Sequence, residues 1–437
     1  MRIFKNKTVR KNCKIYAMLS QNAKKRHLSF HTPGHKHGKW DITELSFSDN
    51  LSCPNGCLQE AEQEIAQILR AKKSFLLTDG STSGILSMLY TAKTRGVKTV
   101  LFCEASHKSV YNGCALLGLT AWTYPQKTQK TIPCSYTWEE FYEKFSVTLE
   151  ETDAILLTSP DYYGNVPPLK EISAYCRARN KLLLVDGAHG GHLHFDTNLY
   201  AGAWADLWVD GVHKSLPSFT QGAIVSARTE ELAETLRNAV DIFRTTSPSY
   251  PIMASIEYAV KYPRNLCLER AVSGFVKTQP RVFIKQDWTK FCAVFGANAF
   301  EAEKALESRG IYPEFCDGNI IMFYLSPATS NRTFSKLKRE LKRLFEIFPY
   351  IEKKEEKSVQ RNPAPVVFDK NAKTEWVKTE LCVNRVCAQT CGMFPPCTPL
   401  IQAGERVEED KIELMKKADN VYGLKDGKML VYEETEV

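Results

Sequence analysis

The sequence predicts an α/β fold with a mostly parallel central sheet that helices cover on both faces. Apolar strands recur along the first half of the chain, and helical stretches such as 169–179 separate several of them. After Asp241 the pattern changes to helices at 298–308 and 333–348 around a strand at 319–325, which predicts a smaller α+β part. In such a fold, the polar motifs are expected at the carboxyl ends of the parallel strands.

Each element follows from a local pattern. Apolar residues recur at helical spacing over 58–73, a strand follows at 74–77, and the polar turn 78–84 leads into a helix at 85–93. Further apolar runs predict strands at 99–102, 154–158, 181–185, 207–209 and 222–225. The helix at 333–348 has one apolar stripe, and Thr333 is expected to cap its first turn.

Length and composition indicate a globular protein of more than one domain. The chain has 437 residues, of which 43% are hydrophobic and 25% are charged. The net charge is +8 without a dense basic tract, so nucleic acid is not an expected partner. The predicted parts are an N-terminal segment at 1–50, a large α/β domain at 51–270, a small α+β domain at 271–350, a linker or exposed loop at 351–365 and a C-terminal domain at 366–437.

The chain is expected to be cytoplasmic and without a membrane partner. No apolar run approaches the roughly 18 residues of a membrane span, and the basic start lacks the apolar core of a signal peptide. The 14 cysteines are therefore interpreted as reduced thiols. Neither the pair Cys53 and Cys57 nor the group Cys387, Cys391 and Cys397 has the CxxC spacing of a zinc site.

An aspartate and a lysine that follow two successive strands predict the chemistry. Asp186 follows the apolar run 182–185, and Lys214 comes shortly after the strand at 207–209. An aspartate can keep a pyridine nitrogen protonated and a lysine can form a Schiff base, and a pyridoxal phosphate enzyme needs both. Taken alone, Asp186 could equally cap a turn and Lys214 could be one of many surface lysines.

A turn rich in hydroxyl groups is the predicted anion site for the same cofactor. Ser81, Thr82 and Ser83, between Gly80 and Gly84, join a strand to a helix and offer backbone N–H groups at a helix N-terminus. Such turns also cap many helices, so the turn alone is weak evidence. It is not a Walker loop, because no GK[ST] follows it.

The histidines allow two interpretations. A metal site would centre on His189, His192 and His194, but the glycines in this segment disfavour a helix and no HExxH arrangement is present. A single histidine that faces a ring fits the pattern better, and His107 follows a strand as such a residue would. We therefore predict no metal and take His107 as the candidate ring-facing residue.

Together these segments resemble the prokaryotic ornithine/lysine/arginine decarboxylases, which are fold-type-I pyridoxal phosphate enzymes. The matching segments, in chain order, are Ser-Phe-His-Thr-Pro-Gly-His-Lys at 29–36, Thr-Asp-Gly-Ser-Thr-Ser-Gly at 78–84, His-Lys-Ser-Val at 107–110, Ser-Pro-Asp-Tyr-Tyr-Gly at 159–164, Val-Asp-Gly-Ala-His-Gly at 185–190, His-Lys-Ser-Leu-Pro at 213–217 and Thr-Thr-Ser-Pro-Ser-Tyr at 245–250. A weaker match to the family lies at 394–399 and 404–405. The likeness fits the short family members that lack an amino-terminal receiver-like domain.

The resemblance implies a decarboxylase of arginine, lysine or ornithine that forms a diamine or polyamine precursor. It implies that Lys214 carries the internal aldimine of pyridoxal phosphate, that Asp186 pairs with the pyridinium nitrogen and stabilises a quinonoid, and that His107 stacks on the ring. The large domain would then bind the cofactor, and the segment 1–50 would contribute to the active site.

The resemblance also implies the remaining cofactor contacts. Ser81, Thr82 and Ser83 would include the phosphate ligands, His213 would lie beside the phosphate or the reacting carbon, and Ala188 would contact the cofactor.

A homodimer or higher homo-oligomer is implied as well, because this fold type usually builds its active site from two subunits. The segment 245–250 would contribute across the interface. Asp49 is a candidate carboxylate for the distal cation of the basic substrate, although a solvated loop aspartate is the more ordinary interpretation of this residue.

The chain departs from the family pattern at four positions. Gly211 stands where the family usually has a hydroxyl residue that reaches the phosphate, and Gly187 stands where many relatives have Glu. Gln389 stands where relatives often carry Glu, and Cys397 alters a Pro-Pro-Gly sequence. A Gly211→Ser replacement is predicted to restore one hydrogen bond and to tighten cofactor retention.

Two other functions stay open. An aminotransferase or a carbon–sulfur lyase would use the same cofactor, and the sequence does not show which substrate bond leaves the ring plane. A non-catalytic descendant that binds the cofactor or a partner protein is the second alternative, motivated by Gly211 and the altered C-terminal segment.

Overall fold

The protein has the predicted mixed α/β fold with a mostly parallel sheet. The computed structural model describes residues 3–26, 28–129, 132–352, 364–366, 373–393, 398–417 and 420–433. The helices are α1 (Lys7–Lys11), α2 (Lys14–Lys24), α3 (Cys57–Leu69), α4 (Ser81–Thr94), α5 (Lys108–Leu117), α6 (Trp138–Glu151), α7 (Leu169–Ala178), α8 (Val212–Ser215), α9 (Glu230–Phe243), α10 (Tyr250–Val260), α11 (Leu266–Thr278), α12 (Ala299–Glu307), α13 (Asn331–Ile347) and α14 (Glu409–Lys417).

The strands alternate with these helices over most of the chain. They are β1 (Lys73–Leu77), β2 (Thr99–Cys103), β3 (Thr120–Tyr124), β4 (Thr128–Gln129), β5 (Ile132–Pro133), β6 (Ala154–Thr158), β7 (Leu182–Gly187), β8 (Leu207–Asp210), β9 (Ala223–Ala227), β10 (Val282–Phe283), β11 (Lys290–Val294), β12 (Phe315–Cys316), β13 (Ile320–Tyr324), β14 (Ala364–Val366), β15 (Thr374–Lys378), β16 (Cys391–Met393), β17 (Thr398–Ile401), β18 (Val421–Tyr422), β19 (Leu424–Lys425) and β20 (Lys428–Tyr432).

The chain forms two compact units. The first comprises Met1–Thr91, Thr158–Ser173 and Leu184–Glu356, and the second comprises Ala92–Leu157, Ala174–Leu183 and Lys357–Val437. No helix in the part of the chain that the structure describes is both long enough and apolar enough to cross a bilayer.

The first unit contains strands in the order β1-β9-β8-β7. β7 and β8 are parallel, with Asp186 opposite Val209 and Gly187 opposite Asp210. The outer pairs, β8 with β9 and β9 with β1, are antiparallel. The carboxyl ends of β7 and β8 therefore lie side by side, which places the segments after Gly187 and Asp210 at one edge of the sheet.

The first unit also contains the predicted α+β part, built on an antiparallel sheet in the order β10-β11-β13-β12. Its core combines apolar residues of this sheet, such as Phe291 and Phe323, with Phe334 on α13. The cap of α13 is Ser330, whose side chain accepts the N–H of Thr333, so the predicted cap at Thr333 is wrong. The helix begins two residues earlier than expected because Ser330 is already available as a cap.

The second unit contains strands in the order β6-β2-β3-β14. β2 is parallel to both β3 and β6, whereas β14 is antiparallel to β3. β14 includes the last two residues of the predicted linker at 351–365, and 353–363 lie outside the described residues.

The C-terminal strands of the second unit form two small three-stranded sheets around a core that includes Cys382, Cys387 and Cys391. Gln389 lies beside this core, where its carbonyl accepts the thiols of Cys387 and Cys391. Residues 394–397, which include the departure at Cys397, lie outside the described residues.

The observed ends of several helices and strands differ from the predicted ones, and local features explain the differences. α3 ends at Leu69 rather than near Lys73, because Arg70 adopts a left-handed conformation with φ of 60°. α4 begins at Ser81 rather than at residue 85, so the hydroxyl turn is the first turn of the helix itself. β7 extends through Asp186, so this residue lies in the strand itself rather than in the turn that follows it.

Candidate active site

Asp186 is a buried carboxylate near the end of β7. Its side chain is 2% exposed, and its Oδ1 accepts the N–H of Ala188 at 3.0 Å. Among the described residues, this is the one hydrogen bond of the carboxylate. Burial raises the pKa of the Asp186 carboxyl, and the positive charge of Lys214 opposes that rise. A cationic group in contact with Asp186 would therefore be stabilised by an incompletely paired buried charge.

Lys214 lies in α8, the single helical turn that follows β8. Its backbone N–H donates to the carbonyl of Gly211 at 3.0 Å, and its Nζ lies 3.3 Å from Nε2 of His189. Because β7 and β8 are parallel neighbours, the segments that carry His189 and Lys214 leave the sheet at the same edge. The structure thus brings Lys214 and Asp186 together, as the sequence predicts.

His213 is fixed by its neighbours in the same turn. Its Nδ1 lies 3.0 Å from the carbonyl of Gly222, so Nδ1 carries the hydrogen and Nε2 does not when the ring is neutral. Burial lowers the pKa of His213, and the charge of Lys214 acts in the same direction. A neutral ring with an available Nε2 is consistent with the predicted position of His213 beside the cofactor or substrate.

The three predicted phosphate hydroxyls differ in their surroundings. The Oγ of Ser81 is buried and has no hydrogen-bond partner among the described residues. The Oγ of Ser83 donates to the carbonyl of Gly80 at 3.0 Å, and Thr82 is exposed. A buried hydroxyl without a partner at the first turn of α4 is suited to bind an anion, because the helix amides add a favourable dipole. Ser81 is therefore the strongest of the three phosphate candidates.

Gly211 has no room for a side chain. A Cβ added at this position would lie 2.3 Å from the carbonyl oxygen of Ala188 and 3.0 Å from the Oγ of Ser81. The first contact is with backbone, so a serine side chain would require the main chain to move. This crowding argues against the expected benefit of Gly211→Ser, because the replacement would disturb Ala188, whose N–H is bonded to Asp186.

His107 belongs to the second unit, where it follows β2 and caps α5. Its Nδ1 lies 3.2 Å from the backbone nitrogen of Ser109 and 2.8 Å from the Oγ of the same residue. Since the backbone N–H donates to Nδ1, the hydrogen of a neutral ring is on Nε2. The half-buried ring is therefore oriented by Ser109, and its role as the stacking residue stays a prediction.

The sequence did not reveal a buried charged cluster in the first unit. Asp287 and Lys290 are 0% and 1% exposed, and Nζ of Lys290 lies 2.8 Å from Oδ2 of Asp287. Oδ1 of Asp287 lies 2.8 Å from Nε2 of His192 and accepts the N–H of Thr289 at 2.9 Å. Burial alone would raise the pKa of the Asp287 carboxyl, but His192 and Lys290 hold it well below its usual range. One sequence feature could have indicated this cluster: a lysine stands at the start of an apolar strand, three residues after an aspartate.

The histidine-rich segment is used for internal hydrogen bonds. His192 pairs with Asp287, His194 lies 2.7 Å from the carbonyl of Gly191 through Nδ1, and His189 faces Lys214. In the described ranges, no group of three His, Cys, Asp or Glu side chains is arranged to hold a metal ion.

Two further predicted residues are held by hydrogen bonds within the first unit. The carboxylate of Asp49 accepts backbone N–H groups from residues 50, 55, 56, 58 and 59, at 2.8–3.4 Å, which include the start of α3, and its role at the substrate cation stays a prediction. The side chain of Tyr250 is 0% exposed and its hydroxyl donates to the carbonyl of Asp49 at 2.6 Å. Within the segment 245–250, the exposed residues are Thr246 and Ser247.

Comparison with known proteins identifies the family. Residues 39–286, more than half of the chain, match the family model "Orn/Lys/Arg decarboxylase, major domain". The chain belongs to this family. The predicted enzyme class is confirmed: the protein is a pyridoxal phosphate-dependent decarboxylase, a carbon–carbon lyase of the family that acts on basic amino acids.

Similar proteins cover nearly the whole chain. The uncharacterized protein YaaO of Bacillus subtilis (strain 168) is 27% identical over 488 residues, which cover 97% of this chain and 99% of that protein. An arginine decarboxylase of Halalkalibacterium halodurans is 25% identical over 466 residues, which cover 92% of each chain. Among solved structures, the Francisella novicida lysine decarboxylase superposes with a TM-score of 0.76 at 16% identity and covers 96% of this chain and 80% of that chain. The Escherichia coli constitutive lysine decarboxylase gives 0.73 at 17% identity, with 96% and 82% covered.

The residues of the first unit fit the cofactor of this family, pyridoxal phosphate. Asp186 offers a buried carboxylate with an open acceptor, which suits a protonated ring nitrogen. Lys214 offers an amine beside it, and Ser81 offers a buried hydroxyl without a partner in the described chain. Each of the three groups that the cofactor requires is thus supplied by a side chain whose surroundings suit that role.

Proposed function

We propose that this protein removes carbon dioxide from arginine and so forms a diamine-type polyamine precursor. The observation that supports pyridoxal phosphate chemistry best is the position of Lys214, which reaches His189 and acts electrostatically on the buried Asp186 at the edge of the sheet, and the family match supports decarboxylation as the reaction. Arginine is the first candidate substrate because three relatives named arginine decarboxylase match over 92% of this chain and a fourth over 56%, whereas the Escherichia coli lysine decarboxylases match over 54–55% of it.

Residues on successive strands would hold the cofactor. Ser81 and the first amides of α4 would bind the phosphate, Asp186 the ring nitrogen, and Lys214 the aldehyde carbon. From the family resemblance, Ala188 would contact the ring and His107 would stack on it. Thr82 and Ser83 would complete the phosphate site through their backbone amides, since their hydroxyls are exposed or bonded within the turn.

The bound cofactor would supply an electron sink for the electron pair that remains when the substrate carboxylate departs. Asp186 would keep the ring nitrogen protonated, and its burial limits the screening of that interaction by water. Lys214 would give its position to the substrate amine and return to it when the product leaves. His213 would present its unprotonated Nε2 to the reacting groups, because Nδ1 is committed to Gly222.

We further propose a homodimer in the cytoplasm. Fold-type-I resemblance supports an active site shared between subunits, and the exposed Thr246 and Ser247 are the residues of the 245–250 segment that could reach a partner. The division into parts at 1–50, 51–270, 271–350, 351–365 and 366–437 also remains a proposal.

Cofactor binding is the first test. Purified protein that is loaded with pyridoxal phosphate and then freed of unbound cofactor should show the visible absorption of a lysine-bound aldehyde, which is lost in Lys214→Ala but kept in Lys336→Ala, a variant that removes an exposed lysine of α13. A wild-type protein that stays colourless, or a Lys214→Ala variant that keeps the absorption, would contradict the assigned role of Lys214.

The substrate panel is the second test. Carbon dioxide release from arginine, lysine and ornithine should be fastest with arginine. Release from lysine or ornithine instead would change the substrate and keep the function. If none of the three releases carbon dioxide while the cofactor spectrum responds to added amino acids, an aminotransferase or lyase becomes the better hypothesis.

A further inference from the structure

His189 lies between Lys214 and a tyrosine of the antiparallel sheet. Its Nε2 is 3.3 Å from Nζ of Lys214, and its Nδ1 is 3.2 Å from the hydroxyl of Tyr324. The same hydroxyl donates to the backbone carbonyl of Tyr162 at 3.0 Å. All four residues belong to the first unit.

These contacts determine which ring nitrogen carries the hydrogen. A tyrosine hydroxyl has one hydrogen, and a carbonyl can only accept, so the hydrogen of Tyr324 points to Tyr162. Tyr324 must then accept from His189, which requires a hydrogen on Nδ1. In the neutral ring Nε2 therefore has a lone pair, and it faces Lys214 as a hydrogen-bond acceptor.

The ring is also held in place from several sides. Nζ of Lys290 donates to the backbone carbonyl of His189 at 2.9 Å and lies 4.7 Å from the ring centre of Tyr324. The rings of Tyr162 and Tyr324 meet the His189 ring nearly edge-on, at 5.3 Å and 5.7 Å between centres. Lys290 is itself held in place by an ion pair with Asp287, in which Nζ and Oδ2 are 2.8 Å apart. A 180° rotation of the ring about the Cβ–Cγ bond would put carbon atoms in the places of both nitrogens and would break both hydrogen bonds.

We propose that His189 is a positioning residue for Lys214 and that Tyr324 fixes the tautomer in which His189 can do this. The inference rests on the proposed role of Lys214 and extends it. With Nε2 as acceptor, an N–H of the neutral lysine amine points to His189, and the nitrogen lone pair stays available to attack the aldehyde carbon. With the opposite tautomer, Nε2–H would donate to that lone pair and compete with the attack.

The tautomer can be measured without cofactor. In cofactor-free protein labelled with 15N-histidine, the signals of His189 are identified by their absence in His189→Gln. The ring should show a protonated Nδ1 and an unprotonated Nε2, and Tyr324→Phe should shift population to the other tautomer. A protonated Nε2 in the wild type, or a spectrum that Tyr324→Phe leaves unchanged, would overturn the inference.

The consequence for Lys214 is measured as the rate at which the protein captures pyridoxal phosphate, followed by visible absorbance. His189→Leu and Tyr324→Phe should slow capture by about five- to tenfold, the effect of one hydrogen bond. His189→Gln should restore the rate, because its side-chain oxygen can accept from Lys214. Tyr312→Phe, at a tyrosine that is 75% exposed, is the matched control and should leave the rate unchanged.

Two outcomes of the capture experiment would contradict the positioning role. One is capture by His189→Leu at the wild-type rate, and the other is equal slowing in His189→Gln and His189→Leu, which would indicate a packing role. Urea unfolding midpoints of all variants control for loss of folding. If the wild type captures no cofactor, the proposed function fails, and the ring spectrum alone decides whether Tyr324 sets the tautomer.

Discussion

Replacing Gly211 with serine should weaken this protein rather than improve its cofactor site. The added Cβ would lie 2.3 Å from the carbonyl oxygen of Ala188, far inside van der Waals contact, and 3.0 Å from the Oγ of Ser81. A shift of Ala188 that relieved this contact would also change the hydrogen bond from Ala188 to Asp186. A gain of one hydrogen bond to a phosphate would therefore be opposed by strain at the carboxylate of Asp186, which is proposed to pair with the cofactor ring.

The size of the effect follows from the kind of contact. Forcing an extra carbon into a packed site typically costs about 1–3 kcal/mol. Because the clash involves the backbone, the upper part of this range is expected for Gly211→Ser and also for Gly211→Ala, which shares the Cβ. The affinity for pyridoxal phosphate should not rise in either variant.

The assay compares urea unfolding and cofactor titration in the two Gly211 variants with those in Gly274→Ser. Gly274 lies in α11, and a Cβ added there meets no atom within 4 Å. The control should change the unfolding free energy by at most about 0.5 kcal/mol. The reasoning is refuted if Gly211→Ser is as stable as the control and binds the cofactor more tightly than the wild type, because the loop would then have relaxed freely.

Three further predictions concern buried polar groups of the first unit. Burial raises the pKa of the Asp210 carboxyl to about 7, so the native state keeps a proton that the unfolded state has lost, and wild-type stability declines as the pH rises from about 4 to 7. Asp210→Asn should therefore gain roughly 2–3 kcal/mol relative to the wild type between pH 5 and pH 8 in urea unfolding; a difference independent of pH would show that Asp210 is ionised throughout. Lys290→Met should cost roughly 3–5 kcal/mol by removing a partner of buried Asp287, and Asp287→Asn should cost less in that background than alone; additive losses in the double-mutant cycle would exclude the ion pair. Ser81→Ala should leave unfolding unchanged but weaken cofactor binding at least fivefold, whereas Ser83→Ala should cost about 1 kcal/mol of stability; the reverse pattern would assign the phosphate to Ser83.

Local patterns were sufficient to predict the sheet edge and the residues on it. Asp186 and Lys214 follow apolar runs that become the parallel strands β7 and β8, and parallel neighbours end at the same edge of a sheet. A helix N-terminus close to residues 81–83 was also predictable, and its role as an anion site stays a prediction. The sequence could not show which hydroxyl remains available, because that depends on where the helix begins and on the bond from Ser83 to Gly80.

The remaining part of the site depends on contacts between distant residues. Tyr324 and Lys290 come from the antiparallel sheet, more than 100 residues from His189 in the chain, and no local spacing links them. Gly211 illustrates the same limit, since the sequence shows a missing hydroxyl while only the fold shows that Ala188 occupies the space. Asp49 illustrates the limit as well, because only the fold shows that its carboxylate accepts backbone N–H groups at the start of α3.

The charged cluster has a consequence for how this enzyme could be shortened. The family match ends at residue 286, immediately before Asp287. A fragment cut to the matched segment would retain Lys214 and Asp186 but would lose Asp287, Lys290 and Tyr324. His192 and His189 would then be left without the partners that orient them. If His189 orients Lys214 as proposed, the segment that defines the family by sequence is not sufficient for that orientation, and the antiparallel sheet must be present as well.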